Sequence, residues 1–292
     1  ASGWFANGFA PASAPVAPTT SIAQGATAAF RTFVVEVAHP VEVGAAQEAH
    51  LLQWLESNPV DLLGLQELKL TDENFPVSEL EAAGYGAVFA GQKTYNGVAI
   101  LYKKATMPEP ADVLVNLPSF PDEQKRVIAA TFGDLRFVSA YVVNGSEVGS
   151  DKFEYKKAWL DDLLKDCEAW LAKYPQLALV GDYNIAPDDR DVHDPKAWAG
   201  QVLCSDDERT RFNTLLGLGL VDSFRLFEQA EKTFSWWDYR MLGFQKNKGL
   251  RIDHVLLSKP LAEHCTASVI DRAPRKWEKP SDHAPAVATL SR

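Results

Sequence analysis

From Arg31 onward the chain alternates between two hydrophobic rhythms. Runs rich in β-branched and aromatic residues predict strands at Asp61 to Leu65, Tyr85 to Phe89, Val98 to Tyr102, Val127 to Phe132, Leu135 to Val143, Leu177 to Val180, Ile252 to Leu257 and Ala286 to Leu290. Apolar residues at helical spacing predict helices at Glu48 to Glu56, Val77 to Ala83, Asp151 to Ala172 and Asp206 to Leu218. The last two open on acidic residues, which suit a helix N-terminus. Full crossover helices seldom separate single strands, so a simple βαβ repeat is not expected. The pattern points to an α/β fold, a four-layer α/β sandwich of two mainly antiparallel sheets flanked by helices. No linker or internal period follows, so residues 31–292 are expected to form a single catalytic domain. Residues 1–30 carry no charged side chain and are dominated by Ala, Pro, Ser, Thr and Gly, the composition of a flexible leader. They lack the basic start and continuous apolar stretch of a secretory signal.

With 46% hydrophobic and 23% charged residues in 292, the chain can bury a large core. No run of 18 or more apolar residues occurs, so no helix spanning a bilayer is expected. Three widely spaced cysteines, Cys167, Cys204 and Cys265, make neither a disulfide framework nor a zinc cluster and fit a reducing compartment, hence a cytoplasmic location. The net charge of −10 argues against coating nucleic acid through bulk charge. It leaves room for a local basic groove or a bound metal.

Four strings place carboxylates or carboxamides just past an apolar strand, where side chains reach a shared rim: Leu63 to Lys69, Leu177 to Pro187, Leu250 to Leu257 and Lys279 to Pro285. Singly, Glu67 reads as a solvated strand end and Gly181-Asp182 as a turn. Asp253 is different, because it lies mid-run between Ile252 and Val255, where an unpaired carboxylate is costly to bury. His283 reads alone as a core histidine, yet Pro280 and Pro285 bracket a rigid loop that holds it beside Asp282. Glu67, Asp182, Asn184, Asp282 and His283 supply oxygen and imidazole donors without clustered thiols, a set that suits Mg²⁺ or Mn²⁺ rather than zinc. With a carboxylate behind a histidine, these groups describe metal-assisted phosphodiester cleavage.

The strings LQELK, GQKTYNGVAI, GDYNIAP, SWWDYR, GLRIDHVLLS and EKPSDHAP occur in the order found in the exonuclease III family of apurinic/apyrimidinic endonucleases, within the endonuclease/exonuclease/phosphatase superfamily. The resemblance runs from about Leu51 to the C-terminus. It implies that Glu67 is the principal Mg²⁺ ligand and Asp282 a second metal contact. Tyr141 resembles the tyrosine that contacts the scissile phosphate, with Asn144 at the adjacent substrate-facing position. Asp182 resembles the residue that activates water or protonates the leaving 3′ oxygen, Asn184 a donor to the transition state, and Asp253 the partner of His283. Lys93, Asn96, Arg126, Lys156, Arg240, Lys246, Lys248 and Lys276 lie in or beside these strings and are expected to supply the phosphate contacts, with about half of them ordinary solvated charges. Trp236, Trp237 and Leu250 match the apolar pocket around a flipped abasic sugar. Adjacent strand residues face opposite sides, so Trp236 is favoured for the pocket and Trp237 for the core.

The resemblance implies a DNA repair phosphodiesterase, an abasic-site endonuclease, a 3′ to 5′ exonuclease with 3′ end trimming, or both. Its substrate would be double-stranded DNA with abasic sites or 3′ ends, handled by a monomer without membrane contact, associated with the nucleoid if bacterial. One departure stands out. The family's first strand ends in a Trp-Asn-Val-Asn type string whose first Asn belongs to the metal site, whereas no Asn occurs here between Asn7 and Asn58. Counting back from Glu67 lands in Val34 to Val43, where His39 or Glu42 could substitute chemically. Residues 1 to about 47 read as a divergent start or as a shifted reading frame joined to an intact gene, and the abrupt change in composition favours the second. The departure keeps two alternatives open: a catalytically impaired relative that binds damaged DNA, and a phosphatase of the same fold acting on a lipid or inositol phosphate.

Overall fold

The runs predicted as strands are nearly continuous in apolar residues. The computed structural model, which describes residues 30–37 and 45–291, shows that both faces of the central strands are covered. In chain order the strands are β1 (Phe30–Val37), β2 (Leu62–Gln66), β3 (Tyr85–Ala90), β4 (Val98–Lys103), β5 (Ala111–Val115), β6 (Val127–Phe132), β7 (Leu135–Tyr141), β8 (Gln176–Asp182), β9 (Leu220–Asp222), β10 (Trp236–Trp237), β11 (Gly249–Leu250), β12 (Asp253–Ser258), β13 (Cys265–Ile270) and β14 (Ala286–Ser291). The helices are α1 (Ala45–Ser57), α2 (Val77–Ala82), α3 (Asp151–Lys173), α4 (Pro195–Trp198), α5 (Asp206–Gly217) and α6 (Lys259–Ala262). Residues 1–29 of the expected leader lie outside the described residues, and Phe30 opens β1.

Among the described residues the strands form two six-stranded sheets, ordered β13-β14-β1-β2-β4-β3 and β5-β6-β7-β8-β12-β9, with β10 and β11 as a separate two-stranded ribbon. Each large sheet holds one parallel pair, β1 with β2 and β7 with β8, and its other pairs are antiparallel. Alternate side chains explain the layering. Ile100, Ile128, Phe137, Val180 and Val255 meet between the sheets. Their neighbours in sequence, such as Val138 and Leu179, face outward onto Trp159, Leu160 and Leu163 of α3 and Phe212 of α5. Leu63, Leu65 and Leu101 likewise face Trp54 and Leu55 of α1 and Leu80 of α2. The result is helix, sheet, sheet, helix, and each fully buried Leu or Phe contributes about 1.5–3 kcal/mol.

The helix ends follow from local chemistry. Ser150 accepts a hydrogen bond from the Phe153 amide at 3.2 Å and starts α3. Ser205 and Glu208 cap α5 reciprocally. The sheets approach closely at Gly64, where a Cβ would stand 2.9 Å from Ser139 Oγ and Val180 Cγ2. Among the described residues no helix is long and apolar enough to cross a membrane.

Candidate active site

Strand register assembles the site. Tyr141 and Asp182 end the parallel strands β7 and β8 as direct partners, and Asp253 opens β12 as the antiparallel partner of Asp182. Three polar groups thus stand in one row across adjacent strand ends. Gly181 makes the row possible: its φ is +146, and a Cβ there would lie 1.8 Å from the Ala140 carbonyl oxygen. Gly181→Ala should therefore displace Asp182 and cost about 3 kcal/mol or more, lowering the thermal midpoint by roughly 6–12 °C. A differential scanning trace unchanged from wild type would contradict that reading of the close approach.

Glu67 follows β2 in the other sheet and adopts φ 53. The Tyr141 hydroxyl donates to its Oε1, and Lys69 Nζ lies 2.9 Å from its Oε2. Burial and the Glu67 charge hold the Tyr141 phenol well above its usual range, so it remains a donor. A second tie between the sheets runs beneath, from Gln66 Nε2 to Ser139 Oγ at 2.8 Å.

The loop after β8 folds back on itself. Asn184, at φ 49, donates its backbone amide to Asp182 Oδ1 at 2.8 Å. Its side-chain amide donates to Asp182 Oδ2 and to the Val142 carbonyl, each at 3.0 Å. Its own Oδ1 accepts from Asn144 Nδ2 at 3.0 Å. Burial raises the Asp182 carboxyl well above the usual carboxylate range, opposed by His283 and reinforced by Asp253 and Glu67.

His283 Nδ1 stands 3.0 Å from both oxygens of Asp253, and both residues are buried. Burial disfavours the imidazolium, but Asp253, then Asp282 and Asp182, more than offset it and push His283 up to about 10. The loop that carries it is zipped to β10: Trp237 N donates to the Asp282 carbonyl at 3.0 Å, Ala284 N donates to the Ser235 carbonyl at 2.7 Å, and Trp236 bridges His283. Trp236 Nε1 donates to Asp282 Oδ2 at 2.9 Å. Tyr239 donates to the Pro280 carbonyl at 2.8 Å, completing the seam.

An 800 Å³ cleft opens beside this row, lined by Glu67, Lys69, Gln92, Tyr95, Asn96, Arg126, Tyr141, Asn144 and Lys152 among others. Of the expected DNA contacts, Lys93 and Arg240 are exposed, and Arg240 pairs with Asp238. Asn96 and Arg126 are buried at the cleft wall. Arg126 stacks 4.8 Å over the Tyr141 ring and donates to Gln124 Oε1 and the Tyr141 carbonyl, so its guanidinium also holds Tyr141. One expectation needs correction and one narrows to the alternative already favoured. Lys156 is fully buried and cannot meet a phosphate. Trp237 is fully buried against Phe234, Ala284 and Phe244, since its half of the strand alternation points into the core; it has no face for DNA. Trp236 remains partly exposed, over a buried floor that includes Leu250, Ile252 and Cys204.

Sequence reasoning missed the support behind β12. Arg251, fully buried, pairs with Asp191 and Asp222, and donates to His254 Nδ1 at 3.0 Å. His254 Nε2 in turn donates to the Ile185 carbonyl at 2.9 Å, one residue beyond Asn184. Burial and the Arg251 charge push His254 down to about 4, leaving it a neutral strut. The only signal was an Arg inside an apolar run, two residues before Asp253.

The oxygen-rich donor set fits a hard divalent cation. Among the described residues, no three His, Cys, Asp or Glu side chains form a ready cage. The Glu67 carboxylate, with the open cleft beside it, suits Mg²⁺, which keeps several waters and uses one or two carboxylates together with substrate phosphate oxygens. On the neighbouring strand β1, the register ends with Val37 opposite Gln66. The residues that follow Val37, with His39 and Glu42 among them, lie outside the described residues.

Residues 41–283 match the model of the Endonuclease/Exonuclease/phosphatase family. The exodeoxyribonuclease III of Haemophilus influenzae is 40% identical over 256 residues, 83% of this chain and 94% of that protein. The structure of the 3′ phosphatase NExo from Neisseria, solved with a product DNA hairpin, superposes with a TM-score of 0.85 at 39% identity, over 90% of this chain and 100% of that one. An AP endonuclease from Archaeoglobus fulgidus does so with a TM-score of 0.81 at 32% identity, over 89% and 99%.

Proposed function

The chain belongs to the endonuclease/exonuclease/phosphatase family, and from that premise we propose that it is a phosphodiesterase of DNA repair that cuts duplex DNA at abasic sites and trims blocked 3′ ends. Dependence on a divalent metal goes with the family; Mg²⁺, with Mn²⁺ as a substitute, is the ion favoured by the hard donor set. The observation that carries the reading is the row of Tyr141, Asp182 and Asp253 on three neighbouring strand ends, with Glu67 facing it and the Asp253 carboxylate bonded to His283 from behind. A cytoplasmic, monomeric enzyme, working at the nucleoid if bacterial, is part of this reading.

Glu67 would anchor the ion, with Asp282 as a second contact and Asp182 and Asn184 close by. When bound, the ion neutralises charge on the scissile phosphate. Hydrolysis joins a water oxygen to phosphorus, breaks the bond from phosphorus to the 3′ oxygen and delivers one proton to that leaving oxygen. Asp182 is suited to trading this proton, because burial lifts its carboxyl toward the working pH. His283 is not suited to be the base: Asp253 keeps it charged, so it meets the phosphate as a cation whose Nε2 donates. Tyr141 stays a neutral phenol and positions an oxygen of phosphate or of Glu67. Trp236, over its apolar floor, is the candidate surface for a flipped abasic sugar.

The test is incision of a synthetic abasic duplex and of a duplex with a blocked 3′ end. Both products should appear with Mg²⁺, vanish with EDTA and return when Mg²⁺ is restored in excess. Tight binding of the abasic duplex with no turnover at saturating Mg²⁺ would replace this reading with that of a binding protein. The missing amino-terminal Asn specifically favours that outcome. Release of phosphate from an inositol phosphate, with DNA untouched, would replace it with the phosphatase reading.

A further inference from the structure

Lys156 occupies a position of α3 where the spacing of Phe153, Trp159, Leu160 and Leu163 calls for an apolar residue, and it is 0% exposed. A buried ammonium is costly unless its charge and its hydrogens are all partnered. Here the three donors are accounted for. One meets the carboxylate of Glu208 on α5, itself fully buried; one meets the Asn184 carbonyl at 2.7 Å; and one meets the Asn144 carbonyl at 3.1 Å.

Those carbonyls belong to the two asparagines whose side chains join at 3.0 Å, Asn144 on the cleft wall and Asn184 buried beside it. Both backbones need holding. Asn184 sits in the left-handed region at φ 49, which costs a non-glycine residue free energy unless its surroundings enforce it. Gly145, next to Asn144, has φ +95, and a Cβ there would come within 3.0 Å of Lys156 Cδ. The lysine stem therefore fills the space behind one loop while its tip fastens both. Glu208 anchors the tip in turn: it accepts from Leu203 N at 3.0 Å and Ser205 N at 3.1 Å, so α5 fixes where the ammonium can stand.

We propose that Lys156, backed by Glu208, is a positioning residue for phosphodiester hydrolysis, which fastens the backbones of Asn144 and Asn184 to one point and so sets how Asn184 grips the Asp182 carboxyl and how Asn144 faces the cleft. The inference rests on the function proposed above. It makes the buried ion pair part of the rate rather than of binding, since neither member can touch DNA.

The deciding variant is Lys156→Met with Glu208→Leu, which removes both charges together and keeps apolar volume, an exchange that folds often tolerate. The rate of single-turnover incision with Mg²⁺ should fall about 100-fold, the scale of a roughly 1 Å misplacement. The Kd for abasic duplex in EDTA should stay within about 3-fold, because phosphate and groove contacts are untouched. The same pair of changes made in an Asn184→Ala background should cost less than about 3-fold further, since the group being positioned is already gone. A folded variant with wild-type rate would overturn the proposal. So would an undiminished 100-fold loss in the Asn184→Ala background, which marks a general structural defect. If the pair-free variant does not fold, Lys156→Arg, which keeps the charge but shifts the donors, is read against the same two outcomes. Wild-type protein inert on the duplex would instead overturn the function itself, and this role with it.

Discussion

His283→Ala and Asp253→Ala are each expected to lower kcat by about 10²- to 10⁴-fold, and the double variant to lose little more than either single one. The reason is geometric. Nδ1 lies 3.0 Å from both Asp253 oxygens, so the carboxylate serves through the imidazole and has no separate route to the phosphate. Losses that multiply in steady-state kinetics would show the two acting independently. The pair also fixes a pH window. With His283 raised to about 10, above its unfolded value near 6.5, the charged state and the stability it brings are complete below pH 6.5 and are lost as pH climbs through 10. Asp253→Asn removes the carboxylate that holds the proton, so the alkaline limb of kcat should move down toward the ordinary histidine range. A limb that stays in place would assign it to another group.

Asp182→Asn is the second large effect, with an expected fall in kcat of about 10³-fold or more if this carboxyl moves the proton. Two effects on stability oppose each other. Asn keeps an acceptor for the Asn184 backbone amide now bonded at 2.8 Å but turns its own amide toward the Asn184 side-chain amide, losing the bond to Oδ2, while it removes a carboxyl whose ionisation the fold resists. A carboxylic acid raised in the folded state weakens the fold as pH rises from its unfolded range through its folded one, because the unfolded chain releases the proton first. The variant should lack that loss, so in thermal melts its difference from wild type should shift in its favour as pH rises. Substantial activity in Asp182→Asn would move the proton-transfer role elsewhere.

How much of this could be read from the chain depended on what buries each residue. Val127 to Phe132 was predicted to the residue, since both of its faces are covered and its apolar run is unbroken. The strands β5 and β13 were missed for the opposite reason. They lie at sheet edges with mostly exposed side chains, and are held by backbone pairing to β6 and β14, which leaves no hydrophobic rhythm. Strand β1 begins on the final residue of the expected leader, since Phe30 pairs with Ser291 from the far end of the chain, a partner no local pattern reveals. At the site, Asp253 and His283 were legible because a carboxylate in an apolar run demands a partner, and they are joined. Lys156 and Arg126 were misjudged or only half understood, because charge in a basic string suggests a surface while their actual partners come from distant segments.

The single parallel pair in each sheet gives the molecule a front and a back. Tyr141 and Asp182 leave β7 and β8 side by side at the front, whereas the two-residue Gly133-Asp134 turn that begins β7 is exposed at the back. The length of β7, roughly 20 Å of extended chain, separates the two ends. A dye, tag or surface tether attached at Asp134 would therefore hold the protein with its cleft turned outward, giving an oriented, immobilised nuclease whose working face no linker obstructs.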